Sequence, residues 1–187
     1  SQYIDDALYE QGRAFVQLED NTNAIERFQL LVKNFPQSHM ARRAANEIGL
    51  LYYQDDKYPE AIAAYKDVIK NYPGSEEARL AQRDLKSIYI DLNKVDEYAD
   101  FASTIPGGAN FDVNERDSLT YVAAERVYMR GETADARNSF IRYLQTFPEG
   151  AFSLNANYYI GLIDYNQQNY ASAAPYLNKV LEYPNNK

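Results

Sequence analysis

An aromatic residue followed by proline recurs along this chain at one spacing: "NFPQS" begins at Asn34, "NYPGS" at Asn71, "TFPEG" at Thr146 and "EYPNN" at Glu182. Pro36 and Pro73 stand 37 residues apart, Pro73 and Pro148 75 apart, close to two such periods, and Pro148 and Pro184 36 apart. A fixed period of that size marks an array of stacked units, each burying its apolar face on the next. Counting back 12 from Pro36, Pro73 and Pro148 reaches Ala24, Ala61 and Ala136, and another 12 reaches Gly12, Gly49 and Ala124. The last copy has Gly161 and Ala173 before Pro184, with one residue missing. Small side chains at this spacing let two antiparallel helices approach closely, one carrying each small residue, so each copy reads as a helical hairpin.

Within the second copy, Tyr58, Ala61, Ile62, Tyr65, Val68, Ile69 and Tyr72 form one apolar stripe of helical period. Ala24, Ile25, Phe28, Leu31, Val32 and Phe35 repeat it, as do Ala136, Phe140, Tyr143, Leu144 and Phe147. Pro59 suits a first helical turn. The prolines of the repeated joint end helices, because proline disfavours helical geometry in the residue before it and has no N–H to donate. Ser38 and Ser75 then read as N-caps of the next helix, with Glu76 and Glu77 complementing the positive helix start.

One more hairpin must fit between Pro73 and Pro148, and it is irregular: the frame puts Lys86 and Tyr98 where the small residues should be. Its helices are expected over Glu76 to about Leu92 and Val95 to about Thr104, followed by a loop from "IPGGAN" to a cap near Asp117 or Ser118. This loop is the natural place for a kink or hinge. The expected organisation is one solenoid over 1–187, with helix pairs at about 3–36, 38–73, 75–105, 117–148 and 150–184 and an irregular connection over 105–117. The fold class is all-α, an α-α superhelix of about five antiparallel helix pairs, the third irregular.

Composition narrows the function. With 45% apolar residues the chain has the material for a core, and its longest apolar runs, such as "IGLLYY" from Ile48, are far short of a membrane span. A net charge of −8 argues against nucleic acid or anionic lipid as partners, since both need a concentrated basic face. Zero cysteines exclude disulfides, thiolate metal sites and a cysteine nucleophile. The first residue is Ser, with no apolar signal segment, so the chain reads as a mature form or an excised piece of a longer protein.

The pattern of Gly12, Phe15, Ala24, Phe28 and Pro36, repeated as Gly49, Tyr52, Ala61, Tyr65 and Pro73, resembles the tetratricopeptide repeat. That resemblance implies a right-handed superhelix with first helices lining a concave groove and second helices outside. The period is nearer 37 than 34, with the extra residues in the turn after proline. The longer turns, the "FP.S..A" and "YP.S..A" junctions and the "Y..A...Y..V...YP" endings look like the periplasmic branch of the family, including the outer-membrane assembly lipoprotein and Tol-Pal accessory proteins. The "DEYADFASTIPGG" to "DSLTYVAAERVYMRG" section looks like large repeat proteins of the Bacteroidetes cell envelope. The location this implies is the periplasm or cell envelope of a Gram-negative bacterium.

No catalytic, cofactor-binding or metal-binding constellation stands out. His39 is the only histidine and follows the turn at Pro36, where a solvated surface residue is the ordinary reading. "PGGAN" at Pro106 lacks the Lys, the glycine spacing and the preceding strand of a phosphate-binding loop. Paired carboxylates such as Glu19 with Asp20, Asp55 with Asp56 and Glu76 with Glu77 sit near expected helix ends, where adjacent residues point in different directions. No enzyme is expected, and no cofactor.

The 18 tyrosines, with no tryptophan, are the unusual feature. Tyr52, Tyr65 and Tyr89 hold repeat-core positions, where a ring fills the space between helices and its hydroxyl reaches the rim. If the resemblance places the groove, Tyr9, Arg13, Asn46, Tyr53, Arg83, Tyr121, Tyr128, Tyr158 and Tyr165 line it. Tyr and Arg suit recognition, combining contact area with polar tips. Family members that clamp a C-terminal carboxylate use Lys and Asn at positions that here read Tyr9, Arg13 and Glu47, so that clamp is absent. The expected function is a non-catalytic scaffold that binds a peptide segment or partner domain in the concave groove, as part of a longer envelope protein. The alternative is a structural spacer or self-association segment, since "EYPNNK" is followed by no polar capping helix.

Overall fold

The structure, a computed structural model, describes residues 2–107 and 112–183. Among them every regular element is helical: α1 (Gln2–Gln17), α2 (Asn21–Asn34), α3 (His39–Gln54), α4 (Tyr58–Asn71), α5 (Glu76–Asp91), α6 (Val95–Ser103), α7 (Val113–Met129), α8 (Thr133–Thr146), α9 (Ser153–Asn166) and α10 (Tyr170–Glu182). The expected all-α architecture of helix pairs is the one observed. The chain forms two compact units, Ser1–Ile88 and Tyr89–Lys187. Gly108, Ala109 and Asn110 of the expected hinge, and Pro184 of the last joint, lie outside the described residues.

Each hairpin turn is three residues long and built the same way. Its middle residue is left-handed: Glu19 at φ 58, Asp56 at 57, Asn93 at 57, Gly131 at 80 and Gln168 at 64. Such a residue closes a helix by turning the next N–H back onto the last turn. Asp20, Lys57, Lys94 and Asn169 accordingly donate to the carbonyls of Phe15, Tyr52, Tyr89 and Asp164 at 2.8–2.9 Å. These four residues are also the N-caps of the second helices, so one position ends one helix and begins the next. The third pair, which lost its small residues, keeps this turn at Asn93.

The aromatic-proline joints work as the sequence implies. Phe35, Tyr72 and Phe147 are helix C-caps whose carbonyls accept the N–H of Ser38, Ser75 and Gly150 three residues on, closing β-turns with proline second. Gly74, third in its turn, has φ 76 and needs to be glycine or nearly so. Ser38 Oγ accepts from Met40 N at 3.2 Å and Ser75 Oγ from Ala78 N at 3.0 Å, so both serines cap as expected. Pro59 lies in the first turn of α4.

One sequence expectation needs correction. The cap of α7 is Asp112, whose carboxylate accepts from Glu115 N at 2.7 Å, and not Asp117 or Ser118. Asp117 is buried one turn further in, where it accepts from the Tyr143 hydroxyl and, at 2.8 Å, from Ala151 N. Tyr143 Oη in turn accepts from Phe152 N at 3.0 Å, so the carboxylate anchors the junction between α8 and α9. Asp5 holds the equivalent place in α1 and accepts from Ser38 Oγ at 2.7 Å, which holds its carboxyl below the usual range.

The close approach of each hairpin is the expected one, and rings fill it: a Cβ built on Gly49 would meet the Tyr65 ring at 2.6 Å, and one on Gly12 would meet the Phe28 ring. Each glycine is a slot for the ring four residues past the buried alanine. In the first unit the core runs through Tyr9, Ala24, Phe28, Leu31, Ala41, Ala44, Ile48 and Leu51. In the second it runs through Tyr121, Ala124, Phe140, Tyr143, Ala156 and Ile160, with Ile90, Val95 and Ala123 as a smaller cluster. There α8 and α9 are also joined by Arg137, which donates to both oxygens of Asp164 at 2.6 and 2.8 Å while Ser172 Oγ donates to Oδ2 at 2.6 Å. Asp164 is only 1% exposed, and the guanidinium beside it holds its carboxyl low.

Candidate functional site

In the first unit, α1 and α3 pack side by side and present a polar cluster. Tyr9 is a core ring, 5.8 Å from Phe28, and burial followed by the charge of Glu47 pushes its hydroxyl pKa up. Glu47, half-buried on α3, has its carboxyl raised by burial, with Arg13 of α1 pulling the other way. Arg13 itself is exposed and lies 3.5 Å from Glu10, and Arg43 adds a second cation acting on Tyr9. Asn46 is half-buried, and its Oδ1 has no hydrogen-bond partner among the described residues. Tyr53 is half-buried at the end of α3, its ring 6.0 Å from Tyr58. Arg83 is exposed on α5 and pairs with Asp84, the acceptor of the Tyr65 hydroxyl at 3.3 Å.

The second unit repeats these positions in different chemistry. Tyr121, the counterpart of Tyr9, is stacked on Phe152 at 4.5 Å and donates to Glu125 Oε1 at 3.0 Å. Glu125 stands where Arg13 stands in the first unit, and Tyr159 where Glu47 stands. Burial and then Glu125 raise the Tyr159 hydroxyl, so one carboxylate serves two tyrosines. Tyr128 is half-buried with its ring 4.9 Å from Tyr159, which is stacked on Phe140 at 5.1 Å. Tyr158 and Tyr165 are exposed on α9, the counterparts of Asn46 and Tyr53. Tyr165 lies 5.3 Å from Tyr170, reproducing the Tyr53–Tyr58 pair.

The nine residues expected from sequence therefore divide by burial. Tyr9 and Tyr121 give their rings to the core, while Arg13, Arg83, Tyr158 and Tyr165 stand exposed and Asn46, Tyr53 and Tyr128 half-buried. Sequence reasoning missed Arg43, Glu125 and Tyr159 and treated Glu47 only as a departure from a clamp. The signal was available: Arg13 and Glu47 transposed by the 112 residues that relate Phe28 to Phe140 land on Glu125 and Tyr159.

Each unit thus sets charges, hydroxyls and rings side by side on its first helices. His39 is exposed at the start of α3. Among the described residues, no group of three or more His, Cys, Asp or Glu could hold a metal ion, and no helix is long and apolar enough to cross a membrane. The second helices carry a separate feature: in the first unit α2 and α4 flank a cleft of about 410 Å³ over α3, walled by Val32, Ala45, Ile48, Tyr52 and Ala64.

Residues 6–76 and 121–187 match the family model described as tetratricopeptide repeat, well over half of the chain. Among solved structures, MamA from Desulfovibrio magneticus RS-1 is similar over 95% of this chain and 93% of its own, at 11% identity and a TM-score of 0.46. A tetratricopeptide repeat protein from Parabacteroides merdae is similar over 98% of this chain and 68% of its own, at 15% identity and a TM-score of 0.47. No curated protein matches.

Proposed function

The chain belongs to the tetratricopeptide repeat family, and on that premise we propose that it is a non-catalytic scaffold whose first helices bind a peptide segment or partner domain in a concave groove. One observation carries this reading: the first-helix faces hold tyrosines, arginines and carboxylates that the core does not consume. Tyr158 and Tyr165 are exposed, and across neighbouring first helices the Arg13 charge acts on Glu47 and that of Glu125 on Tyr159. Rigid repeats hold such side chains in place before a partner arrives, so little freedom is lost on binding. The first unit offers cations with a raised carboxylate, the second a carboxylate among hydroxyls. An acidic group on a partner suits Arg13 and Arg43 of the first unit, and a basic or N–H group suits Glu125 of the second.

We place this function in the cell envelope, following the likeness of the joints to envelope members of the family. Partner capture from an envelope extract tests it, with wild type set against Tyr53→Ala and Tyr158→Ala. Loss of the same partner from both variants is the expected result; undiminished recovery by both overturns groove binding. Tyr121→Ala is the wrong probe, because that ring is only 4% exposed and its loss would damage the core.

A second reading, self-association, is favoured by α10. Leu181 holds the repeat position of Val32, yet it is 82% exposed where Val32 packs on the core.

A further inference from the structure

We propose that the cavity between the first two aromatic-proline joints binds an acidic segment of a partner protein, taking a carboxylate on Arg42 and His39. The joints that end at Ser38 and Ser75 border about 480 Å³ between them. They are tied together by the Tyr72 hydroxyl, which donates to the carbonyl of Pro36 at 3.3 Å. Helices α1 and α2 precede the first joint and α5 follows the second, so the cavity lies inside the repeat array and neither end of the chain forms it.

Two cations, His39 and Arg42, stand on its walls, and no Asp or Glu does. In a chain with 27 acidic residues against 19 basic ones, that is a local reversal of sign. His39 and Arg42 are three residues apart on α3 and share a face of the helix. Neither makes a hydrogen bond among the described residues. There the one carboxylate in ion-pair range of Arg42 is Glu77, 4.0 Å from Nε and too far to accept a hydrogen bond. Burial pushes the Tyr72 hydroxyl pKa up while the Arg42 charge pulls the other way, so the guanidinium acts on the cavity wall.

The fold does not require these cations. At the joint 112 residues on their places are held by Ala151 and Leu154, and 37 residues on by Glu76 and Arg79, which pair with one another. A guanidinium takes a carboxylate through two parallel N–H bonds. The side-chain amides of Gln37 and Asn71, on the same walls, can meet the peptide groups to either side of it. Nothing lies within 4 Å of where a Cβ on Gly74 would stand, which leaves room for a chain to cross the second joint. A cavity of this volume suits a short segment rather than a single ion.

Amide chemical-shift titration of the 187-residue chain tests this with a capped peptide, acetyl-Gly-Glu-Asp-Gly-amide, and its neutral counterpart, acetyl-Gly-Gln-Asn-Gly-amide. The acidic peptide is expected to shift the amides of residues 37–42 and 71–75 saturably, and the neutral one to bind at least tenfold more weakly. Arg42→Gln should weaken the acidic peptide about tenfold and His39→Gln about threefold, while Arg79→Gln, a cation outside the cavity, should leave it unchanged. His39 is exposed, so its variant keeps the test open if Arg42→Gln disturbs the joint. Equal binding of the two peptides, no saturable shift at these joints, or full-strength binding by both cavity variants overturns the proposal. None of these residues is a groove candidate, so its failure leaves groove binding standing.

Discussion

Gly12→Ala measures the close approach inside the first hairpin. The added Cβ would lie 2.4, 2.7 and 2.8 Å from Cε1, Cδ1 and Cζ of Phe28, where carbon atoms prefer about 3.5–4.0 Å. Phe28 is fully buried and held by Tyr9 at 5.8 Å, so its ring has no free space to turn into. Overpacking of this kind costs about 1–3 kcal/mol, and three ring atoms met at once argue for about 3. Alanine returns about 1 kcal/mol of helix propensity over glycine, leaving a net loss of about 2 kcal/mol. For a chain of this size that is a fall in Tm of about 4–8 °C. Urea unfolding followed by circular dichroism, with hydrogen exchange in α1 and α2 to localise the effect, reads it. In a Phe28→Ala background the side chain that fills the slot is gone, and Gly12→Ala should become neutral or stabilising by up to about 1 kcal/mol. Stabilisation by Gly12→Ala in the wild-type background, or additivity of the two changes within about 0.5 kcal/mol, would refute the slot.

Asp117→Ala removes the acceptor of the Tyr143 hydroxyl and of Ala151 N. At about 1.5–3 kcal/mol for a hydrogen bond to a charged group, it should cost about 3 kcal/mol or more in denaturant unfolding. Asp164→Ala should cost about 3–5 kcal/mol by leaving Arg137 without its carboxylate, whereas Arg137→Ile with Asp164→Tyr, the residues at the matching positions Ile25 and Tyr52, should be neutral or stabilising in the same assay. Because the Asp164 carboxyl is lowered in the folded state, its contribution is fully present above the unfolded value of about 3.9 and is lost as pH falls through the folded value. Acid titration of unfolding should therefore be steeper below about pH 4 in wild type than in Asp164→Asn. Gln168→Gly should raise stability by about 0.5–1 kcal/mol, since a left-handed conformation costs a side chain roughly 1–2 kcal/mol and glycine gives part of this back as unfolded-state entropy; thermal melting reads the gain.

The helices and joints were legible because their determinants are local. Proline at 36, 73 and 148, serine at 38 and 75, and the stripes through Tyr65 and Phe28 each act within one turn of chain. Asp117 misled because an aspartate near a helix start satisfies the capping rule, and only the fold brings Tyr143 and Ala151 to it. What fills the approach at Gly49 was not legible: spacing locates small residues, but a ring reaches the slot from four residues past Ala61, as Tyr65 does. The hairpin turns escaped notice because four of their five left-handed residues are Glu, Asp, Asn and Gln, none of which advertises a positive φ as glycine does at 131. Of the candidate site, single residues could be nominated, but the interaction of Glu125 with Tyr159 crosses between helices.

The five hairpin turns are all three residues long, while the junctions between hairpins run from four residues at 35–38 and 72–75 to nine at 104–112 and six at 147–152. Inside a hairpin, one residue both ends and begins a helix, so an inserted residue there has nowhere to go without breaking a cap. At a junction the aromatic-proline turn has already closed one helix before the next begins, and added residues can loop out. The junctions are therefore the cut points of this chain. Whole hairpins can be duplicated, deleted or grafted with breakpoints at residues such as 37 or 74, and loop insertions will be tolerated there and rejected at 19, 56, 93, 131 and 168.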